Sequence, residues 1–184
     1  MKNKDYLLFD LDGTLTDPKE GITKAVQYAL KHYGIQVDDL DSLCPFIGPP
    51  LKDSFQKYYD FSEQQAKEAI QVYREYFSVT GWSQNKVFPG IPEMLGELKA
   101  AGKKLYLATS KPEVFAKQIL EHFDLASYFE FVGGADLEET RVGKGDVIQY
   151  VLDTCGLSDK KEKILMIGDR EHDVLGAREQ GLEC

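Results

Sequence analysis

Four short and strongly apolar segments, each followed at once by glycine, hydroxyl or acidic residues, constrain the fold of this chain most. They occupy residues 6–9, 105–108, 129–132 and 164–167. Apolar runs of this length that do not alternate with polar residues are typical of strands buried on both faces. Helical patterns separate the last three runs, and such alternation is typical of a parallel sheet with helices on both faces. The sequence therefore predicts an α/β core.

A helical insert interrupts this alternation, because no convincing strand occurs between about residue 18 and residue 86. Apolar residues recur at helical spacing in two segments of the insert, at Ile22, Ala25, Val26, Ala29 and Leu30, and at Ala66, Ala69, Ile70, Tyr73 and Phe77. A stiff loop at 46–50 lies between them, since its two prolines fix φ and disfavour helix before them. We predict an all-α cap domain at 17–86, inserted into a core formed by 1–16 and 87–184. The aromatic side chains expected in the core of the insert are Tyr28, Phe55, Tyr58, Tyr59, Tyr73 and Phe77.

Composition and charge exclude several classes of protein. The 184 residues carry 31 acidic and 22 basic side chains, a net charge of −9, and no basic stripe, so we expect no nucleic-acid partner. No apolar run approaches the roughly 18–20 residues that a membrane span needs, and the N-terminus lacks signal-peptide features. Three widely spaced cysteines are typical of reduced cytosolic thiols. We expect a cytoplasmic protein that is a monomer or a weak dimer.

The residues that follow the predicted strands form a candidate site. Asp10 and Asp12 follow the first strand, Thr109 and Ser110 the second, and Asp169 and Asp173 the last, while Lys144 begins a helix. In open parallel sheets the ligand site lies beyond the carboxyl ends of the strands. Several carboxylates at one edge repel each other unless a cation neutralises them, and Mg²⁺ prefers such oxygen ligands together with substrate phosphate. A lysine and a hydroxyl complete a pocket for a phosphoryl group.

The first of these segments has the composition of a catalytic loop. Asp10 and Asp12 lie on the same side of an extended chain, and Gly13 then allows a sharp turn with exposed backbone N–H groups. Two carboxylates placed in this way can divide the work of phosphoryl transfer. One attacks phosphorus as a nucleophile, and the other exchanges protons with the leaving oxygen and with water.

The motifs resemble those of a known family. The segments that carry the resemblance are Phe9-Asp10-Leu11-Asp12-Gly13-Thr14-Leu15, Ala108-Thr109-Ser110-Lys111-Pro112, Lys144 and Gly168-Asp169-Arg170-Glu171-His172-Asp173. In this order they resemble the four motifs of the haloacid dehalogenase superfamily of phosphatases. The helical insert resembles the cap of the phosphoglycolate phosphatase-like subgroup. The resemblance spans essentially the whole chain and implies a Rossmann-like parallel sheet core with an inserted all-α cap.

Residue roles follow from the resemblance. It implies that Asp10 is the nucleophile and forms an aspartyl-phosphate, and that Asp12 is the general acid and base. Thr109 and Lys144, with Ser110 and Gly13 beside them, would bind the phosphoryl group. The Mg²⁺ ligands would be Asp10, the backbone carbonyl of Asp12, and Asp169, with Asp173 orienting a water molecule on the metal.

The resemblance also implies roles outside these motifs. The stiff loop with Ile47, Gly48 and Pro49 would face the nucleophile and help to select the leaving group, and Lys52 would meet a second anionic group of the substrate. Similar proteins continue beyond residue 184 with a further strand and helix. We therefore expect the C-terminal edge of the core to be cut short.

The expected function is Mg²⁺-dependent hydrolysis of a small phosphate monoester, such as phosphoglycolate or a nucleoside 5′-monophosphate. A phosphomutase like β-phosphoglucomutase would use the same catalytic residues. A phosphoaccepting signalling domain is a non-enzymatic alternative, although its acceptor acid follows a middle strand, where this chain has Gly133-Gly134. Asp12 argues against a dehalogenase. Structural alternatives also exist, since Asp169 and Asp173 could merely cap a helix and a lysine such as Lys144 is often solvated.

Overall fold

The computed structural model describes residues 3–138 and 140–184. By their internal contacts these residues form two compact units, one of Met1–Thr16 with Val87–Cys184 and one of Asp17–Lys86. The elements in chain order are β1 (Tyr6–Phe9), β2 (Thr16–Asp17), α1 (Lys19–His32), α2 (Leu51–Tyr59), α3 (Glu63–Phe77), β3 (Lys86–Val87), α4 (Ile91–Ala100), β4 (Lys104–Pro112), α5 (Glu113–His122), β5 (Phe129–Ala135), α6 (Lys144–Thr154), β6 (Ile164–Ile167) and α7 (Glu171–Glu179). The two-residue strands β2 and β3 pair where the chain passes between the units.

The first unit is built on a four-stranded parallel sheet with the strand order β5-β4-β1-β6. The predicted α/β fold with a parallel sheet and flanking helices is confirmed. The two central strands, β4 and β1, are largely buried, and Leu7, Leu8, Leu105 and Leu107 are fully buried. Helix α6 packs on one side of the sheet, where Val147, Ile148 and Val151 join Leu8 and Met166 in a buried cluster.

Strand register determines where the functional residues lie. Phe9 at the end of β1 is paired with Leu107 of β4 on one side and with Ile167 of β6 on the other. The residues that follow these three therefore emerge side by side at one edge of the sheet. The backbone N–H of Asp10 donates to the carbonyl oxygen of Ile167 at 2.9 Å, which fixes the first of them.

Strands β4 and β5 extend beyond the predicted apolar runs. Thr109 and Ser110 lie within β4, and Gly133 and Gly134 lie within β5 rather than after it. The pairing continues through a register shift between Thr109 and Pro112. Backbone hydrogen bonds across this irregularity do not depend on apolar side chains, so the hydropathy pattern ended both strands too early.

The chain returns to the sheet after α7. Glu183 forms a parallel bridge to Leu165, and its carbonyl oxygen accepts a hydrogen bond of 2.9 Å from the backbone N–H of Met166. This segment therefore lies beside β6. Among the described residues, none of the helices combines the length and apolar character that crossing a membrane requires.

The second unit is helical between its short terminal strands. Helix α1 packs on α3 through small buried residues that include Ala25, Ala29, Ala66 and Ala69. Ser62 caps α3, because its hydroxyl accepts from the backbone N–H of Gln65 while the Gln65 side chain accepts from the backbone N–H of Ser62.

The aromatic core expected for this unit is only partly correct. Phe55, Tyr73 and Phe77 are buried and Tyr59 is half-buried, but Tyr28 and Tyr58 are each 44% exposed, so their assignment to the core was wrong. A tyrosine packs its ring on a neighbour and keeps its hydroxyl in water, so helical spacing alone does not bury it.

Candidate active site

Asp10 and Asp12 lie in a tight turn that follows β1. Both carboxylates are buried, with 5% and 6% of each residue exposed. The turn closes on itself, because the backbone N–H groups of Leu15 and Thr16 both donate to the carbonyl oxygen of Leu11, at 2.9 and 3.1 Å. Leu11 and Leu15 are fully buried and anchor the turn.

Gly13 allows this turn to approach the C-terminal motif. Its φ of +89° lies in the left-handed region, and a Cβ atom there would lie 2.4 Å from Oδ2 of Asp169. The Thr14 hydroxyl donates to Oδ1 of the same carboxylate at 3.2 Å. The predicted phosphate-binding residue Gly13 is thus in direct contact with a predicted metal ligand.

Three of the predicted metal ligands lie close together. Asp10, Asp169 and Asp173 each offer a carboxylate oxygen, and these oxygens all lie within 4.8 Å of one another. Asp173 also caps α7, since its Oδ2 accepts from the backbone N–H of Arg170 at 3.1 Å. Asp173 therefore caps α7 and also lies in the carboxylate cluster, while its role at a metal ion stays a prediction.

Lys144 is buried against two members of this cluster. Its Nζ lies 2.7 Å from Oδ1 of Asp10 and 2.9 Å from Oδ1 of Asp173, and it donates to the carbonyl oxygen of Ala108 at 3.0 Å. Burial by itself lowers the pKa of Lys144, but the attraction of Asp10 and Asp173 outweighs it and the net pKa is raised. The alternative that Lys144 is a solvated surface lysine does not hold.

Asp12 has a separate cationic partner, Lys111. The Lys111 Nζ lies 2.7 Å from Oδ2 of Asp12, and both side chains are buried. Burial raises the pKa of Asp12, and Lys111 opposes that rise. Among the described residues Oδ1 of Asp12 has no hydrogen-bond partner. No role was predicted for Lys111 from the sequence, because it lies beyond the apolar run of its strand and a lysine in such a position is usually solvated.

The hydroxyl pair lies where β4 enters the site. Thr109 is 1% exposed and its Oγ1 accepts from the backbone N–H of Lys111 at 3.3 Å, while Ser110 is half-buried. Thr109 is therefore fixed beside the backbone that leads to Lys111.

The predicted specificity residues belong to the second unit, whereas the carboxylates belong to the first. Ile47 is buried, Gly48 has a φ of +99°, and Pro49 precedes Pro50, the N-cap residue of α2. Lys52 forms an ion pair of 2.8 Å with Glu63 within this unit. The role of these four residues in substrate selection stays a prediction.

The charge balance and the donor set of the site fit a hard divalent cation. When all four carboxylates are ionised, the two buried lysines leave two negative charges uncompensated, apart from the exposed Arg170 beside Asp169. Burial, followed by the charge of Asp10, raises the pKa of Asp169. Mg²⁺ binds carboxylate oxygens at about 2.0–2.1 Å in octahedral geometry, so the three oxygens, which lie within 4.8 Å of one another, would move closer together around the ion. Asp10, Asp169 and Asp173 would hold the ion.

Comparison with known proteins gives the family. Residues 7–184 match the family described as haloacid dehalogenase-like hydrolase. This chain belongs to that family. A Pseudomonas aeruginosa protein named 5′-nucleotidase is 52% identical to this hydrolase over 178 residues, which are 97% of this chain and 80% of that protein.

Two further comparisons agree with the fold. The Mycobacterium tuberculosis protein named tyrosine-protein kinase PtkA is 39% identical over 182 residues, which are 99% of this hydrolase but only 61% of that protein. The crystal structure of a predicted phosphatase from Clostridium acetobutylicum superposes with a TM-score of 0.94 at 52% identity, over 97% of this chain and 82% of that one. The expectation of a hydrolytic enzyme of the phosphatase type is confirmed.

Proposed function

We propose that this protein is a Mg²⁺-dependent phosphatase that hydrolyses a small phosphate monoester through an aspartyl-phosphate on Asp10. The observation that carries the proposal is the grouping of Asp10, Asp169 and Asp173 within 4.8 Å of one another beyond the carboxyl end of β1, with buried Lys144 against Asp10 and Asp173. Phosphoryl transfer depends mainly on positioning and charge neutralisation, and this cluster supplies both.

In the first step a carboxylate oxygen of Asp10 attacks phosphorus. The ester P–O bond breaks, its electron pair passes to the leaving oxygen, and the Asp12 carboxyl group gives that oxygen a proton. The raised pKa of Asp12 favours the protonated form that this step needs. The leaving alcohol departs, and the phosphoryl group stays on Asp10.

In the second step water attacks the phosphorus of the aspartyl-phosphate. Asp12, now a carboxylate, takes a proton from that water, the bond between phosphorus and the Asp10 oxygen breaks, and inorganic phosphate leaves. Both carboxyl groups return to their starting states.

Lys144 and Thr109 would hold the phosphoryl oxygens during both steps. Lys144 is already in place, since it contacts the nucleophile at 2.7 Å and can exchange a carboxylate partner for a phosphoryl oxygen. Bound Mg²⁺ would neutralise charge that develops on the transferred group and hold it in line with Asp10.

The substrate that we favour is a nucleoside 5′-monophosphate, because a relative with 52% identity is named 5′-nucleotidase. Phosphoglycolate is the second candidate. We further propose that the helical unit is a cap in which Ile47, Gly48, Pro49 and Lys52 select the substrate. A cytoplasmic location also belongs to the proposal, and the free thiols of Cys44, Cys155 and Cys184 support it.

The test is phosphate release from a panel of small esters that contains nucleoside 5′-monophosphates, phosphoglycolate and hexose phosphates. We expect turnover with Mg²⁺ and almost none with EDTA or with Asp10→Asn. Asp159→Asn, an exposed acid outside the site, is the matched control and keeps full activity. Undiminished release by Asp10→Asn would refute the mechanism.

The same assay separates the alternatives. Isomerised hexose phosphate without net phosphate release would indicate a mutase. One equivalent of label that stays on the protein, without turnover, would indicate a phosphoaccepting signalling domain.

A further inference from the structure

The Lys111–Asp12 ion pair lies outside the roles that the motifs assign. It joins the loop after β1 to the end of β4 at 2.7 Å, and 8% of Lys111 and 6% of Asp12 are exposed. Lys144 is the other lysine of the site. In the part of the chain that the structure describes, it forms ion pairs with Asp10 and Asp173 but not with Asp12. Each of the two carboxylates that act in the proposed reaction therefore has its own lysine.

An irregularity in the sheet brings Lys111 to Asp12. Pairing between β4 and β5 shifts register between Thr109 and Pro112, so Lys111 lies within the irregular stretch. The neighbouring β5 allows this path only because it has glycine there. A Cβ atom on Gly134 would lie 2.7 Å from the carbonyl oxygen of Lys111 and 2.6 Å from Cα of Glu113.

The two oxygens of Asp12 have different surroundings. Oδ2 is held by the Lys111 ammonium, whereas Oδ1 is buried and lacks a hydrogen-bond partner in the described part of the chain. A carboxylate with one oxygen fixed and the other unengaged is oriented for proton exchange through the second oxygen. An ion pair at this distance restricts rotation of the group, and its low exposure keeps water from competing.

We propose that Lys111 is a positioning residue that holds Oδ2 of Asp12 and so directs Oδ1 at the leaving-group oxygen. The inference rests on the proposed function, in which Asp12 protonates that oxygen as the P–O bond breaks. Lys111 itself exchanges no proton and acts on the reaction through Asp12.

The test compares two esters with different leaving groups. The alcohol of a nucleoside 5′-monophosphate must receive a proton as it leaves, whereas the phenolate of 4-nitrophenyl phosphate leaves without one. The measured quantity is kcat/KM, which covers the steps up to departure of the leaving group and excludes the later role of Asp12 as a base. Lys111→Met is expected to lower kcat/KM roughly 100-fold on the nucleotide, within the usual contribution of general acid catalysis, and at most about threefold on the aryl ester.

Three further variants complete the design. Lys111→Arg keeps the charge and is expected to recover much of the loss on the nucleotide. Lys117→Met removes a lysine on the exposed side of α5 and leaves both esters unaffected. In the Asp12→Asn background Lys111→Met is expected to cause no further loss on the nucleotide. This double variant leaves no unpaired buried charge, so it remains measurable if the single variant fails to fold.

Equal losses on the two esters would overturn the proposal, since they would show a merely structural role. So would an unchanged or increased rate on the nucleotide, or an additive loss in the double variant. Turnover by Asp10→Asn, or full activity of Asp12→Asn on the nucleotide, would instead refute the proposed function.

Discussion

Gly176 of α7 lies against Gly145 of α6 so closely that a Cβ atom at position 176 would lie 2.8 Å from the Gly145 amide nitrogen. The same atom would lie 2.8 Å from Cγ of Lys144. This close approach sets the beginnings of two helices together. Lys144 begins α6 and Asp173 lies in the first turn of α7, and their ion pair of 2.9 Å follows from it.

A methyl group at this contact is expected to separate the helices. Gly176→Ala gains up to about 1 kcal/mol of helix propensity but loses roughly 1–3 kcal/mol through overpacking, so the free energy of unfolding falls. Phosphatase activity falls with it, because the Lys144–Asp173 pair is disturbed. Gly96→Ala in α4 is the control, since the nearest atom to its Cβ would be Cε1 of Tyr128 at 3.9 Å. Urea denaturation and phosphate release are the measurements, and the same response from both variants would contradict the explanation.

Two glycines with similar backbone conformations allow the effect of backbone strain to be measured separately from that of a steric contact. Gly13 and Gly102 have φ values of +89° and +78°, but only Gly13 faces another residue, since nothing lies within 4 Å of a Cβ on Gly102. Each substitution by alanine is expected to cost about 1–2 kcal/mol of left-handed strain. Only Gly13→Ala also displaces Asp169, so it alone loses activity. Thermal denaturation and phosphate release of the two variants test this, and an active Gly13→Ala protein would contradict it.

The raised pKa of Tyr106 predicts that the protein loses stability at high pH. Burial raises its pKa to about 12, with smaller contributions from the negative charges of Cys155 and Glu130. Its stabilising contribution is complete below the unfolded pKa of about 10. Between pH 10 and 12 the unfolded chain releases this proton while the folded chain keeps it, so stability decreases as the pH rises. Urea titrations at pH 9 and 11 should show a smaller decrease for Tyr106→Phe than for the parent, and equal decreases would exclude Tyr106 as a cause.

The apolar runs predicted part of the fold correctly. The strands β1 and β6 coincide with runs 6–9 and 164–167, because strands of a parallel sheet whose faces are covered by helices carry continuous apolar runs. The ends of β4 and β5 were not predictable in this way. Their last residues are held by backbone pairing across a register shift, which leaves little trace in side-chain hydropathy.

The site likewise has parts that could be predicted from the sequence and parts that could not. The meeting of Asp10, Asp169 and Asp173 was predictable, because parallel strands in register deliver their following residues to one edge. The Lys111–Asp12 pair was not, since a lysine beyond an apolar run is usually solvated and the register shift in which Lys111 lies leaves little trace in hydropathy. Asp169 adds a cost that composition does not show, because burial and the charge of Asp10 disfavour its ionised form.

Because a bound cation would relieve this electrostatic cost, Mg²⁺ binding should raise the stability of the protein, which can be measured without substrate turnover. Mg²⁺ at about 100 times its Kd should add about 2.7 kcal/mol to stability and raise Tm by roughly 5–10 °C, and EDTA should reverse the rise. Asp169→Asn removes one charge from the cluster, so without metal its Tm should equal or exceed that of the parent, while its response to Mg²⁺ should fall. Asp159→Asn, at an exposed acid that is not part of the cluster, should respond as the parent does. Differential scanning fluorimetry measures the Tm of the parent and of both variants. A full Mg²⁺ response in Asp169→Asn would show that the ion binds without this carboxylate.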